Sequence, residues 1–168
     1  MKALINRLKR QGKQISCAES CTGGLVAKGI TDVSGASSVF QCGIVTYSNQ
    51  MKQELLSVSK ETLDKFGAVS EEVAREMALG VMNKSGSDIA VSVTGLAGPE
   101  GDGSGKPVGT VCIGVATSEK CYATTFVFAG KRNEIRRRAA KMALNMAYDE
   151  LGGQKPEKQK RTRKKKEK

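Results

Sequence analysis

The 168-residue chain contains no histidine and no tryptophan, and only three prolines. Without an imidazole, neither a Ser-His-Asp triad nor a Cys-His pair can form within the chain. The lack of histidine also argues against a zinc site, whose usual ligands are histidines and closely spaced cysteines. Aromatic residues make up only 4% of the sequence, so the core has to be built from aliphatic side chains. Any nucleophile in this chain therefore needs a base other than histidine.

Cysteine is present, but without the spacing of a metal or redox motif. The chain has five cysteines and no CxxC pair; they are Cys17, Cys21, Cys42, Cys112 and Cys121. An odd set of this kind is typical of reduced, mostly buried thiols in a reducing compartment. The apolar runs are too short and interrupted for a secretory leader or a membrane span. We therefore expect a cytoplasmic protein without metal, disulfide or membrane contact.

Positive charge is concentrated at the end of the chain. Residues 155–168 contain nine Lys and Arg and two Glu, so they supply +7 of the formal net charge of +11. Dense like charge without apolar residues cannot form a core. We predict one domain over 1–153 and a basic disordered tail over 154–168. Because the domain has no aromatic cluster or nucleic-acid-reading motif, we expect at most weak, sequence-independent nucleic-acid binding, through the tail.

Helical and strand patterns alternate along most of the domain. This alternation favours an α/β protein with a layered sheet and some antiparallel pairing near its end. The segment 118–120 predicts a hairpin between the last two strands, and 34–38 is expected to be a turn. Helices are predicted over 2–12, 25–33, 50–58, 61–67, 70–86 and 131–153, and strands over 14–18, 39–48, 88–95, 108–117 and 121–130.

The stretch "AESCTGG" places Ser20 between a predicted strand and a predicted helix. We expect Cys21–Gly24 to form the first turn of that helix, where unpaired N–H groups and a positive dipole end meet. Glycines there let backbone amides approach a ligand, which suits an oxyanion or a phosphate. Ser20 is then either a nucleophile beside this turn or simply the helix cap.

A candidate base lies in "VTYSNQMK". Tyr47 ends a predicted strand, and Lys52 lies in the first turn of the next helix. The positive end of a helix disfavours an ammonium group, so Lys52 is pushed toward the neutral amine that a base must be. The alternative is a solvated lysine and a tyrosine that merely ends a strand.

The loop "TGLAGPEGDGSGKP" is rich in glycine but matches neither a P-loop nor a calcium-binding loop. Thr94 and Gly95 end a buried strand, and the crevice beyond strand ends is where α/β proteins bind ligands. Arg132 opens the last helix and is suited to an anionic group. A flexible surface loop and a solvated arginine remain the alternatives for these segments.

Six segments together resemble a known family. "AESCTGG", "GIVTYSNQMK", "GAVSEEVAREMA", "VSVTGLAGP", "KPVGTVCIGVA" and "FAGKRNEIRRRAA" are similar to the carboxy-terminal domain of CinA, the competence-damage-inducible protein. The likeness runs from about residue 3 to 151 in order. It implies a three-layer α/β/α sandwich, here with a mixed, mostly parallel central sheet, and a homodimer.

The resemblance also implies an activity and a site. Stand-alone members of the family are nicotinamide mononucleotide deamidases, which release ammonia and form nicotinic acid mononucleotide in pyridine nucleotide salvage without a metal or cofactor. By motif, Ser20 matches the nucleophile, and Tyr47 and Lys52 match its partners. The expected substrate-binding residues are Cys21, Thr22, Gly23, Gly24, Thr94, Gly95, Ala97, Gly98 and Arg132.

Two departures from the family pattern keep other functions open. Lys131 stands where an acidic residue is common in the family, and the basic tail is not part of its pattern. The alternatives are a non-catalytic nucleotide-binding module that uses the same pocket and a nucleic-acid-associated protein that acts through the tail. The release of ammonia would separate the amidase from both alternatives.

Overall fold

A computed structural model describes residues 1–152 of the chain. The predicted tail over 154–168, and any nucleic-acid binding through it, lie outside the described residues. The helices are α1 Lys2–Gln11, α2 Leu25–Thr31, α3 Asn49–Leu56, α4 Lys60–Phe66, α5 Glu71–Ser85 and α6 Arg132–Glu150, with a short 3-10 helix at Ala36–Ser38. The strands are β1 Ile15–Glu19, β2 Phe40–Val45, β3 Ile89–Gly95, β4 Thr110–Thr117 and β5 Cys121–Val127.

The five strands form one mixed sheet in the order β2-β1-β3-β4-β5. β1 pairs in parallel with both β2 and β3, so that Ala18 lies between Ile44 and Ser92. β4 pairs antiparallel with β3 and with β5, which makes the predicted hairpin. The predicted mixed sheet is confirmed, with its parallel part at β2-β1-β3.

Helices cover both faces of this sheet. One core cluster joins the sheet to α1, α2 and α6 and contains Leu8, Ile30, Ile113 and Leu144. A second cluster on the other face joins the sheet to α3, α4 and α5 and is centred on Met77. The buried apolar side chains of the described residues are mostly aliphatic and none is aromatic, as the scarcity of aromatics requires. The predicted three-layer α/β/α sandwich is confirmed.

Serine side chains cap the starts of all three helices on the second face, α3, α4 and α5. The Ser48 hydroxyl accepts a hydrogen bond from the Met51 N–H, and the Ser70 hydroxyl accepts one from the Val73 N–H. Each bond satisfies an N–H group that has no partner within its helix. Among residues 1–152, no helix has both the length and the apolar character needed to cross a membrane.

Two local predictions differ from the structure. The prediction that Cys21–Gly24 forms the first turn of a helix is wrong, because α2 begins at Leu25. Cys21–Gly24 form tight turns instead, in which Gly23 and Gly24 have φ values of 55° and 96°. Such positive φ values suit glycine and do not continue a right-handed helix. The segment 34–38 contains the 3-10 helix rather than a simple turn.

A glycine inside α5 lets α3 approach closely. A Cβ atom on Gly80 would lie 1.9 Å from the carbonyl oxygen of Leu56. We expect Gly80→Ala to lower the free energy of unfolding by about 1–3 kcal/mol, although alanine is the better helix former. Urea denaturation measures this change.

Gly29→Ala in α2 is the matched control. Its Cβ atom would meet only the end of the Leu144 side chain, at 2.9 Å, and that side chain can move. The gain in helix propensity should then hold the net change within about 1 kcal/mol. Equal losses in the two variants would contradict the close contact between α3 and α5.

Candidate active site

A cavity of about 360 Å³ opens at the carboxyl ends of the parallel strands. Ser20 follows β1, Tyr47 lies two residues after β2, and Thr94 lies near the end of β3. All three line this cavity, as do Lys52 from α3 and Arg132 from α6. Crevices at this edge of an α/β sheet are the usual place for a ligand. The sheet topology therefore brings together residues that are far apart in the sequence.

Ser20 and Lys52 are in direct contact. The Lys52 Nζ lies 3.3 Å from the Ser20 Oγ and 3.1 Å from the carbonyl oxygen of Thr46. Lys52 is 2% exposed, and within residues 1–152 it forms no salt bridge with a carboxylate. Burial therefore lowers the pKa of Lys52 below the ordinary lysine value of 10.5. A buried amine beside a hydroxyl is the arrangement that a serine–lysine pair requires.

Glu19 is a buried carboxylate that the sequence reasoning did not single out. Its oxygens accept hydrogen bonds from the N–H groups of Gly24, Val26 and Ala27 at 2.9, 3.1 and 2.9 Å. A carboxylate at this position satisfies the N-terminal amides of α2 and complements the helix dipole. The end of α2 is thus occupied by the protein's own anion. An acidic residue shortly before a predicted helix start was the available signal.

The turn after Ser20 leaves two amides available. The Gly23 N–H donates to the Ser20 carbonyl oxygen, and the Gly24 N–H donates to Glu19, so neither is free for a ligand. In the described part of the chain, the N–H groups of Cys21 and Thr22 donate to no protein acceptor. Thr22 is buried, and its Oγ1 has no hydrogen-bond partner among these residues. Cys21 lines the cavity, whereas Thr22, Gly23 and Gly24 do not, so the Cys21 amide is the free donor that a ligand in the cavity can meet.

The Cys21 thiol lines the cavity beside Ser20. Burial raises the pKa of this thiol to about 11. A thiol with that pKa is almost entirely protonated near neutral pH, and the thiolate is the nucleophilic form. Ser20, whose hydroxyl has a base beside it, is the better placed nucleophile.

Tyr47 and Arg132 form a pair at the mouth of the cavity. Tyr47 is 64% exposed, and its hydroxyl accepts a hydrogen bond from the Arg132 guanidinium at 3.0 Å. Arg132 also donates to the carbonyl oxygen of Gly98 at 2.5 Å. Within residues 1–152, the Tyr47 hydroxyl makes no hydrogen bond to Ser20 or Lys52. Tyr47 is thus close to the site but is not linked to the serine–lysine pair.

The remaining predicted residues form one wall of the cavity. Thr94, which is buried, donates its hydroxyl to the Ala68 carbonyl oxygen at 2.7 Å. A Cβ atom on Gly95 would lie 2.7 Å from the carbonyl oxygen of Thr110, so the close packing of β3 and β4 requires glycine here. Ala97 is buried and lines the cavity together with Gly98. These residues shape the wall, and Thr94 uses its hydroxyl to hold it.

Arg136 is a second residue that the sequence reasoning missed. It lies one helical turn after Arg132 on α6 and reaches the turn that follows Ser20. No local pattern in the sequence marks it out from the other arginines of the last predicted helix. Within the described residues, no group of three His, Cys, Asp or Glu side chains is close enough to hold a metal ion.

The chain is similar to known proteins over most of its length. The model of the CinA C-terminal domain matches residues 1–151. The nicotinamide-nucleotide amidohydrolase PncC of Enterobacter agglomerans is 51% identical over 145 residues, which cover 86% of this chain and 88% of that protein. A CinA-like protein of Kosmotoga olearia is 51% identical over 142 residues, but the match spans only 34% of its length.

Solved structures show the same fold. A CinA superfamily protein from Enterobacter cloacae has a TM-score of 0.87 at 32% identity, with 89% of each chain covered. The competence/damage-inducible protein CihA from Agrobacterium tumefaciens has a TM-score of 0.85 at 38% identity, with 90% of this chain and 92% of that chain covered. The chain therefore belongs to the CinA C-terminal domain family, as its sequence motifs predicted.

Proposed function

We propose that this protein is an amidase that hydrolyses the carboxamide of nicotinamide mononucleotide to nicotinic acid mononucleotide and ammonia. The observation that carries the proposal is the buried contact between the Lys52 amine and the Ser20 hydroxyl at 3.3 Å. We infer the substrate from the name of the Enterobacter agglomerans relative, a nicotinamide-nucleotide amidohydrolase. The match covers 88% of that protein. The amidase predicted from the sequence agrees with that name.

In the first half of the reaction, neutral Lys52 accepts the Ser20 proton while Oγ forms a bond to the carboxamide carbon. The carbonyl electrons move to oxygen and give a tetrahedral oxyanion. When the carbonyl re-forms, the C–N bond breaks. The Lys52 ammonium then returns its proton to the leaving amide nitrogen, which departs as ammonia. An acyl ester on Ser20 and a neutral Lys52 remain.

Water completes the second half. Lys52 accepts a proton from a water molecule while the oxygen of that water attacks the ester carbon. The Ser20–acyl bond then breaks, and the proton on Lys52 goes to the Ser20 Oγ, which frees the carboxylic acid. The same amine thus acts once as base and once as acid in each half.

The free amide of Cys21 is the proposed oxyanion donor. In enzymes with a nucleophile on a sharp strand-to-helix turn, the N–H of the residue after the nucleophile supplies one donor. Cys21 holds that position here, two residues after β1 ends at Glu19. Gly23 and Gly24, expected from the sequence to help bind the substrate, have their amides bonded within the protein. We assign these two glycines to the shape of the turn.

A non-catalytic module that senses a nucleotide in the same cavity is the second hypothesis. It gives no reason for a lysine to be buried beside a serine without a carboxylate partner.

The homodimer implied by the family resemblance stays a prediction, and light scattering on the purified protein measures it.

We expect Ser20→Ala and Lys52→Met each to lower kcat by roughly 10⁴-fold or more, in the range that loss of a catalytic-triad member costs. The measurement is ammonia release from nicotinamide mononucleotide. Lys60→Met is the matched control, because Lys60 is exposed and, within residues 1–152, pairs only with Asp64 on α4. Ser20→Ala with wild-type turnover would refute the nucleophile, and wild-type protein without turnover would refute the substrate.

The rate should depend on pH through Lys52. The amine acts as a base only when it is neutral, and burial lowers its pKa below 10.5. The value of kcat/KM should therefore rise with pH and level off above that lowered pKa, which the free enzyme's profile reports. A midpoint at or above 10.5 would contradict the buried neutral base. NMR titration of isotope-labelled lysine in Ser20→Ala gives the same pKa independently of turnover.

Tyr47 is assigned to binding rather than to proton transfer. Its hydroxyl holds Arg132, which we propose meets the phosphate of the nucleotide. Tyr47→Phe should then raise KM and leave kcat within about threefold of wild type, because a lost uniform binding contact raises KM alone. Steady-state kinetics on nicotinamide mononucleotide separate the two parameters. A loss in kcat comparable with that of Lys52→Met would place Tyr47 in the proton path instead.

A further inference from the structure

Arg136 holds the backbone of the turn that follows the proposed nucleophile. Its Nε donates to the Cys21 carbonyl oxygen at 3.0 Å, and one terminal nitrogen donates to the Thr22 carbonyl oxygen at 2.9 Å. The other terminal nitrogen donates to the Asn133 side chain at 3.2 Å. The guanidinium is half-buried and thus binds two consecutive carbonyl groups in a fork.

The bond to the Thr22 carbonyl reaches the Cys21 amide through the turn. In a trans peptide the C=O and N–H groups point in opposite directions. The peptide group that joins Thr22 to Gly23 has its oxygen on Arg136, and its N–H donates to the Ser20 carbonyl oxygen at 3.1 Å. That carbonyl belongs to the same peptide group as the Cys21 N–H. The Cys21 N–H has no acceptor within residues 1–152, and Cys21 lines the cavity.

Arg136 also changes the strength of that amide as a donor. A positive charge bound to a carbonyl oxygen polarises the whole peptide group, and hydrogen bonds in a chain strengthen one another at low dielectric. The hydrogen bonds from Arg136 to the Thr22 carbonyl and from the Gly23 N–H to the Ser20 carbonyl therefore make the Cys21 N–H a stronger donor than it is without the guanidinium. Preorganised donors of this kind are what stabilises developing negative charge in a transition state.

We propose that Arg136 is a positioning residue that orients and polarises the oxyanion-binding amide of Cys21 from behind the turn. The proposal rests on the proposed role of Ser20 as the nucleophile, but it does not depend on which amide is the substrate. Arg132 and Arg136 lie one turn apart on α6, so one helix would serve both the cavity mouth and the turn.

A purely structural brace is the competing explanation. The test must therefore include readouts that a brace would not move. Arg136→Ala removes the fork, and Arg136→Lys keeps the charge but cannot bind both carbonyls in the same plane. Arg137→Ala is the matched control, because Arg137 is the next residue on α6, is exposed, and makes no side-chain hydrogen bond or salt bridge within the described chain.

Two rates are measured on each variant. The first is ammonia release from nicotinamide mononucleotide, separated into kcat and KM. The second is labelling of Ser20 by a fluorophosphonate, followed by intact mass, with Ser20→Ala as the blank. In that reaction Oγ bonds to phosphorus, fluoride leaves, Lys52 takes the hydroxyl proton, and the phosphoryl oxygen occupies the place of an oxyanion. The labelling rate thus reports on the oxyanion-binding amide beside Ser20 without the natural substrate.

We expect Arg136→Ala to lower kcat and the labelling rate by about 10- to 100-fold, less than the loss of a whole oxyanion donor, with KM within about threefold of wild type. Added methylguanidinium should restore part of the kcat of Arg136→Ala but should do nothing for Arg137→Ala. Arg136→Lys should recover less than half of the lost labelling rate. If Arg136→Ala does not fold by circular dichroism, Arg136→Lys carries the comparison.

The remaining outcomes separate the role of Arg136 from the proposed substrate and nucleophile. Equal rates in Arg136→Ala and Arg137→Ala overturn the role of Arg136 and leave the amidase intact. Slow labelling in Arg136→Ala, together with a wild type that labels but does not deamidate nicotinamide mononucleotide, supports the role of Arg136 and refutes the substrate. A wild-type protein whose Ser20 is not labelled refutes both.

Discussion

The site depends on one amine that the fold keeps out of water and away from carboxylates. An ammonium group in such surroundings loses hydration without gaining a counter-charge, so the neutral form is favoured. Lys52 has only a hydroxyl and a backbone carbonyl as partners in the described chain, and neither carries a full negative charge. The burial that disfavours the ammonium form is thus the same property that makes the amine a base.

A buried amine needs polar partners, and the ends of two parallel strands supply them. Ser20 follows β1 and the Thr46 carbonyl follows β2, and these two strands are parallel neighbours. Their carboxyl ends hold the hydroxyl and the carbonyl on either side of Nζ with no adjustable loop between strand and contact. Glu19, although adjacent to Ser20 in sequence, belongs to β1, and its carboxylate is occupied by three amides of the turn and α2. Because these amides hold the Glu19 carboxylate, the acid next to Ser20 does not pair with Lys52.

Most of the fold followed from local patterns in the sequence. Alternating helices and strands and the short 118–120 connection were enough for the layers and for the β4–β5 hairpin. The family resemblance, rather than periodicity, brought Ser20 and Lys52 together. The helix predicted over 25–33 begins where α2 does, but the expectation that Cys21–Gly24 forms its first turn was wrong. "CTGG" has the composition of a helix N-terminus, whereas the positive φ values of Gly23 and Gly24 keep this turn out of the helix.

What the sequence could not supply are contacts between distant segments. Arg136 meets Cys21 and Thr22 across 115 and 114 residues, and no local pattern distinguishes this arginine from Arg137. The Tyr47 hydroxyl bonds to Arg132 rather than to the serine–lysine pair, and this too is decided by tertiary packing. The family resemblance had placed all three residues together. Helix and strand preferences are local quantities, while the partner of a long polar side chain is decided by how the layers dock.

The two arginines beside the site, Arg132 and Arg136, both come from α6. Ser20 and Lys52 precede this helix by most of the domain, since α6 begins only at Arg132. During translation the hydroxyl and the amine therefore emerge from the ribosome before the helix whose Arg136 holds the neighbouring turn. A nascent chain carries an unfinished pocket until α6 has been made and has docked on the sheet.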